Sequence, residues 1–177
     1  MIRFVRLQEK HLQMIMDWRV KPEITRHMFT NIEHDLNKQR RWFKKISGDD
    51  SHRYWVILFQ DIPIGLVNLA AIDQGNRRCT AGYYIGELEC RNLGALIPPY
   101  LYNYVFKVMD FRKIYGEVMA ENVKVLQMHA MHGYRQVGIC RDHIFKDGRF
   151  HDVIIIELLA ESWLGQKRYQ RDIAEFE

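Results

Sequence analysis

The sequence predicts an α+β (mixed α/β) fold: one twisted layer of about seven strands, mostly antiparallel, with helices on both faces. Three observations predict it. Apolar residues recur at spacings that switch between helical and strand periods along the chain. The resulting order is a strand, two or three helices, three strands, a helix, a strand, a helix and two strands. Several strand pairs are joined by hairpin-length connections, so neighbours run antiparallel.

The elements follow in order. Ile2 to Arg6 alternates apolar and basic residues and reads as a strand. From Glu9 to Val20, Leu12, Ile15, Met16 and Trp18 recur at helical spacing until Pro22 interrupts, and a short helix through Glu23 to Met28 follows. Asp35 to Ile46 sets Leu36, Trp42, Phe43 and Ile46 among Lys and Arg, an amphipathic helix closed by Ser47-Gly48-Asp49-Asp50. Arg53–Phe59 and Ile64–Ile72 are β-prone runs joined by Gln60-Asp61-Ile62-Pro63. A strand near Arg77 to Gly86 leads through the loop Glu87–Gly94 into a helix ending about Met109, with Pro98 and Pro99 in its first turns, where a missing N–H costs least. Lys113–Met119 reads as a strand and Asn122–His132 as a helix. Tyr134–Phe145 and Phe150–Leu159 form a long hairpin turning at Lys146-Asp147-Gly148. The tail from about residue 161 reads as helical and exposed.

With 177 residues and 47% hydrophobic content, residues 1–177 read as a single domain around one core. Nothing resembles a signal peptide or a bilayer-spanning run, so a cytoplasmic location and no membrane partner are expected. Cys79, Cys90 and Cys140 lack CxxC spacing and read as reduced thiols, with no structural metal. The net charge of +4 is scattered along the chain, without the basic stripe of a nucleic-acid binder, so no nucleic-acid partner is expected. A mild positive field suits a small polyanion such as a nucleotide.

Chemistry is sought first where strand gives way to helix. Backbone N–H groups at a helix start favour anions, and Arg91-Asn92-Leu93-Gly94-Ala95 stands at such a junction. Arg91 could add a charged contact to phosphate, and Gly94 could let backbone approach closely.

Gly82-Tyr83-Tyr84-Ile85-Gly86 followed by Arg91-x-x-Gly94 resembles the strand and pyrophosphate loop of the GNAT superfamily of N-acetyltransferases. It departs from the family pattern in carrying Leu96 at the last small-residue position. Asn122-x-x-Val125-x-x-Met128-His129-x-x-His132-Gly133-Tyr134 resembles the family's Asn-x-x-Ala-x-x-x-Tyr-x-x-x-Gly-Phe helix, with His129 at the tyrosine position. Trp18-Arg19-x-x-Pro22-Glu23-Ile24-x-x-x-Met28 and the Lys146-Asp147-Gly148 hairpin are similar to the GNAT subgroup that acetylates UDP-linked 4-amino sugars for pseudaminic acid. The resemblance covers nearly the whole chain.

It implies the GNAT acyltransferase fold and acetyl-CoA as donor. The cofactor would lie along Tyr84, Ile85, Gly86, Arg91, Asn92, Leu93, Gly94, Ala95 and Asn122. His129 would protonate the departing thiolate, an exchange suited to an imidazole near neutral pH. Asn68, mid-strand, or Glu87 would serve the incoming amine, with Glu89 a further loop carboxylate. Arg19, His27, Met28, Phe29 and Tyr83 would face a nucleotide-sugar acceptor. Tyr83 and Tyr84 point to opposite faces of their strand, and the sequence leaves open which one meets the ligand. His129 and His132 share a helix face but lack a third metal ligand. A homodimer is compatible with the sequence. A protein N-terminus or a polyamine as acceptor, or a non-catalytic acetyl-CoA or nucleotide-binding domain, are the rival readings.

Overall fold

The computed structural model describes residues 2–177. A seven-stranded sheet in the order β1-β2-β3-β4-β5-β7-β6 forms the middle layer. Its strands are β1 (Ile2–Arg6), β2 (Arg53–Phe59), β3 (Ile62–Asp73), β4 (Arg78–Ile85), β5 (Lys113–Met119), β6 (Arg135–Lys146) and β7 (Arg149–Leu159). Every neighbouring pair is antiparallel except β4 and β5, which run parallel through a helical crossover. Helices α1 (Leu12–Arg19), α2 (Pro22–Thr25) and α3 (Leu36–Ser47) precede β2, α4 (Ile97–Asn103) fills the crossover, α5 (Val123–Met131) links β5 to β6, and α6 (Ala160–Leu164) follows β7.

Alternation along the strands sorts the core into two faces. On one face Leu12, Ile15 and Trp18 of α1 and Ile24 of α2 pack on Val56 and Leu66, with Trp42 and Phe43 of α3 against them. On the other, Ile97 and Leu101 of α4 and Trp163 of α6 pack on Ile57, Val67, Leu69, Ile114 and Leu158. The start of α3 is fixed by Asp35, whose carboxylate accepts from the N–H groups of Asn37 and Lys38 at 2.8 and 3.1 Å.

Both hairpin turns are tighter than the sequence suggests. Gln60 and Asp61 adopt φ of 51° and 63°, so two residues make the turn and β3 begins at Ile62. Asp147 and Gly148, at φ 51° and 80°, turn β6 into β7. The helix expected from Gly94 to Met109 is corrected. A 3₁₀ stretch occupies Leu88–Leu96, α4 begins only at Ile97, and from Tyr104 the helix widens into a π-turn ending at Val108. Prolines at the first positions of α4 explain its late start, since neither can donate to an earlier turn.

The tail also differs from expectation. After α6 and a 3₁₀ turn at Lys167–Tyr169 the chain is irregular; Trp163 and Tyr169 are buried and Phe176 partly so. Trp163 is 0% exposed and its Nε1 donates to Asn103 Oδ1 at 2.9 Å. Asn103 Nδ2 in turn donates to the carbonyls of Tyr169 and Asp172. Phe176 stacks on Phe4 and Tyr104, each with centroids 4.3 Å apart. A buried asparagine that satisfies three partners fastens the tail against α4. Among the described residues no helix is long and apolar enough to cross a membrane.

Glycine is required by space at Gly65, where an added Cβ would stand 2.2 Å from the carbonyl oxygen of Tyr84. Backbone cannot yield as a flexible side chain does. Gly65→Ala should lower stability by at least about 1–3 kcal/mol, whereas Gly48→Ala, with nothing within 4 Å, should be near neutral; urea unfolding of the two variants checks the contrast.

Candidate active site

β4 and β5 pair only at Arg78–Lys113, Cys79–Ile114 and Thr80–Tyr115. Beyond Thr80 the strands separate, although β4 runs to Ile85 and β5 to Met119. β4 keeps its pairing to β3 across Ala81–Ile85, so alternate N–H and C=O groups of this stretch point into the gap with no strand to receive them. A cavity of about 750 Å³ opens there. Its walls are Thr80 to Ile85 of β4, Tyr115 to Val118 of β5, Pro98, Leu101 and Tyr102 of α4, and Val125 and His129 of α5. Arg91 and Gly94 reach it from the 3₁₀ stretch, Asn122 from the start of α5, and His27, Met28 and Phe29 from the segment after α2.

A second cavity of about 670 Å³ lies on the other side of Tyr83 and Tyr84. The two cavities share Met28, Asn68, Gly82, Tyr83 and Tyr84 as a common wall. At its centre Asn68 stands opposite Gly82, where a Cβ would come within 2.8 Å of Asn68 Oδ1. Only glycine leaves the amide this position. The second cavity adds Arg19, Lys38, Trp42 and Tyr54, with Glu33 its single carboxylate.

His129 stands in the first cavity wall with Nδ1 3.3 Å from Tyr102 Oη and its ring 4.6 Å from that of Tyr134. Burial, assisted by the nearby His132, brings its pKa down to about 4. The ring is therefore neutral near pH 7, its proton affinity lower than that of an imidazole in water. His132 is lowered to about 4 by burial and by Arg168. It lies 3% exposed between Tyr102, Trp163 and Tyr169, its Nδ1 without a hydrogen-bond partner among the described residues. Burial also raises the phenols of Tyr83, Tyr84, Tyr102 and Tyr134, so all four keep their protons.

The structure brings together His129, Asn68, Tyr83, Tyr84, Ile85, Arg91, Gly94, Asn122, His27, Met28 and Phe29 around the first cavity. It places others elsewhere. Glu87 accepts from Trp18 Nε1 at 2.6 Å and lines neither cavity, so its carboxylate anchors α1. Gly86 sits beneath the same indole, where a Cβ would fall 2.1 Å from Trp18 Cδ2; close packing explains this glycine without a ligand. Asn92, Leu93 and Ala95 line neither cavity, and Leu93 packs on the core, because the 3₁₀ coil turns only Arg91 and Gly94 inward. Arg19 lines the second cavity, its guanidinium donating to Thr25 Oγ1 and the Thr30 carbonyl at 2.9 and 3.0 Å. Tyr83 and Tyr84 both line both cavities. Tyr83 donates to Met128 Sδ at 3.1 Å, while Tyr84 meets Trp18 edge to face.

Sequence reading missed Thr80, Tyr102, Glu117, Trp42 and Tyr54 as lining residues. Trp42 and Tyr54 carried the ordinary signature of an amphipathic helix and a strand. Their role shows only where α3 meets β2, with the rings 5.2 Å apart.

A split sheet with a cavity between its parting strands, walled by a helix histidine, is the architecture of a ligand-cleft acyltransferase. The chain belongs to the acetyltransferase (GNAT) domain family, whose model matches residues 2–135. It is 25% identical over 129 residues to the YdaF protein of Bacillus subtilis (strain 168), which carries a provisional name as a ribosomal N-acetyltransferase; the match covers 72% of this chain and 68% of that one. It is 23% identical over 126 residues to acetyltransferase PseH of Campylobacter jejuni (serotype O:23/36, strain 81-176), covering 71% and 78%. Its fold matches the spermidine N-acetyltransferase of Vibrio cholerae, solved with CoA and spermine, at a TM-score of 0.85 and 22% identity over 92% of this chain and 98% of that one. The protein is thus an acetyl-CoA-dependent N-acetyltransferase. The residues present fit that donor: the open edge of β4 offers backbone partners to a ligand rich in amides, and Arg91 beside Gly94 offers a cation to phosphate.

An unfolded chain takes up its histidine protons near pH 6.5, while His129 and His132 in the fold hold off to about 4. Between these values the unfolded state binds more protons, so stability present above about pH 6.5 is lost as pH falls toward 4. The urea midpoint should drop across that window, and His132→Phe should drop less steeply than the parent.

Proposed function

We propose that the chain acetylates the 4-amino group of a UDP-linked amino-dideoxy sugar, as in pseudaminic acid biosynthesis. The observation that carries this reading is the second cavity. It adjoins the first along Asn68 and Gly82, and its charged lining is Arg19 together with the Lys38–Glu33 ion pair, a net single positive charge. Aromatic faces at Trp42, Tyr54 and Tyr84 beside Arg19 suit a base and a diphosphate. A polyamine would want carboxylates there, and this chain supplies one, already neutralised. The Trp18–Met28 and Lys146–Gly148 segments, similar to those of 4-amino-sugar acetyltransferases, support the same acceptor.

Bound acetyl-CoA supplies an activated acyl thioester. Asn68, on the wall shared by both cavities, orients the acceptor amine with its amide. Arg91 and Gly94 hold the anionic end of the donor, and Asn122 and the β4 backbone hold its length. As the amine attacks and the thioester bond breaks, the neutral His129 ring takes the proton that the amine releases, directly or through water, and delivers it to the departing thiolate. Negative charge developing beside the ring raises its proton affinity, so protonation accompanies the reaction instead of preceding it. Leu101, Val125 and Ile156 exclude water from this wall.

Strand β6 closes one side of the sheet with Val137, Ile139 and Phe145 exposed, the surface on which a second copy would assemble. A dodecameric form is described for the Vibrio spermidine enzyme.

Incubation with acetyl-CoA and, separately, the UDP-4-amino sugar, spermidine and an N-terminal peptide should release free thiol and add an acetyl mass with the sugar. Acetylation of spermidine or peptide but not sugar overturns the assignment. His129→Ala should cut kcat by about 10²–10⁴-fold, and Cys90→Ala should leave turnover intact if no acyl-cysteine forms.

A further inference from the structure

We infer that Lys146 is a positioning residue for the acceptor: its buried ammonium holds the segment after α2 against the cavity, and so sets how tightly the acceptor binds. This rests on the reading that His27, Met28 and Phe29 meet the acceptor.

Lys146 ends β6, and its side chain is only 3% exposed. A buried lysine is costly unless its donors are satisfied. Here Nζ donates to the carbonyl oxygens of Thr25 at 2.6 Å and Arg26 at 3.2 Å, the two residues directly before His27. These carbonyls lie where short α2 ends; the Thr25 oxygen also accepts from the Met28 N–H at 2.9 Å, and the ammonium adds a second donor there and caps Arg26 from 120 residues away in sequence. Asp147 is the nearest carboxylate, with Oδ2 4.0 Å from Nζ. Its Oδ1 accepts from Asn31 Nδ2 at 2.9 Å, so the same turn grips both ends of the 25–31 segment.

The turn is itself held. His151 on β7 reaches the Lys146 carbonyl with Nε2 at 3.2 Å and Glu121 Oε1 with Nδ1 at 2.6 Å. Glu121 immediately precedes Asn122 of the first cavity. A continuous chain of bonds therefore ties the acceptor segment to the corner between β5 and α5. Removing the charged donor of buried acceptors typically costs about 10–100-fold in the equilibrium it supports.

Lys146→Met keeps the apolar stem and deletes the ammonium. The acceptor KM, measured with whichever amine the chain is found to acetylate, should rise about tenfold or more, while the acetyl-CoA KM stays within about twofold. In the ligand-free protein, amide hydrogen exchange across residues 25–31 should accelerate while β2 and β3 stay protected. This readout needs no substrate, so a wrong acceptor class and a wrong clamp give different results. Unchanged exchange at 25–31, or an acetyl-CoA KM that rises as much as the acceptor KM, overturns the proposal. Should Lys146→Met fail to fold, Asp147→Ala, at a 63% exposed side chain, removes the second grip. It should raise exchange at 25–31 and the acceptor KM by a smaller factor, and no change in either overturns the proposal.

Discussion

The parting of β4 and β5 after three residue pairs is the constraint on which the site depends. Each strand is paired along its other side, β4 to β3 with one irregularity at Cys79 and β5 to β7 throughout, so the sheet behaves as two antiparallel halves joined by a short parallel seam. Twist accumulates within each half and drives the unjoined ends apart. Pro98, Leu101 and Tyr102 of α4 and Val125 and His129 of α5 wall the gap. The exposed backbone of β4 then becomes a binding surface, because its unpaired groups lose hydration when a ligand enters and need partners.

Around that gap the electrostatics follow from burial more than from charge pairs. His129 is kept neutral because its ring sits among Tyr102, Tyr134 and a second buried histidine, with no carboxylate bonded to it. The four buried phenols likewise retain their protons. A neutral wall of this sort answers strongly to charge that develops inside it, since little water remains to screen that charge. The ion pairs of the chain lie mainly on its surface, for example Arg3–Asp61 and Arg40–Glu9, and contribute little to this behaviour.

The side of the cavity proposed for the acceptor is assembled from distant parts. Segment 25–31 comes from between α2 and α3, Asn68 from β3, and the turn that grips the segment from the β6–β7 hairpin. None of these could hold the others by local structure alone, because α2 spans only a single turn. Long-range hydrogen bonds to a buried lysine replace the helix propensity that this segment lacks.

The sequence by itself determined the strands and most helices, because periodicity and turn residues are local signals: β1, β2 and β5 fall where alternation and β-prone runs place them. It also marked His129, Asn68, Arg91, Gly94 and Asn122, which the fold gathers at one cavity. Tertiary structure decided the rest. Glu87 and Gly86 sit on the right loop, yet Trp18, 69 residues from Glu87, claims both. The tail looked exposed until Asn103, Phe4 and Tyr104 supplied partners for Trp163 and Phe176. The ionisation of His129 and the hold of Lys146 on Thr25 and Arg26 were equally unreadable, since burial and 120-residue contacts belong to no window of sequence. Periodicity records which face a residue turns inward; only packing records what it meets there.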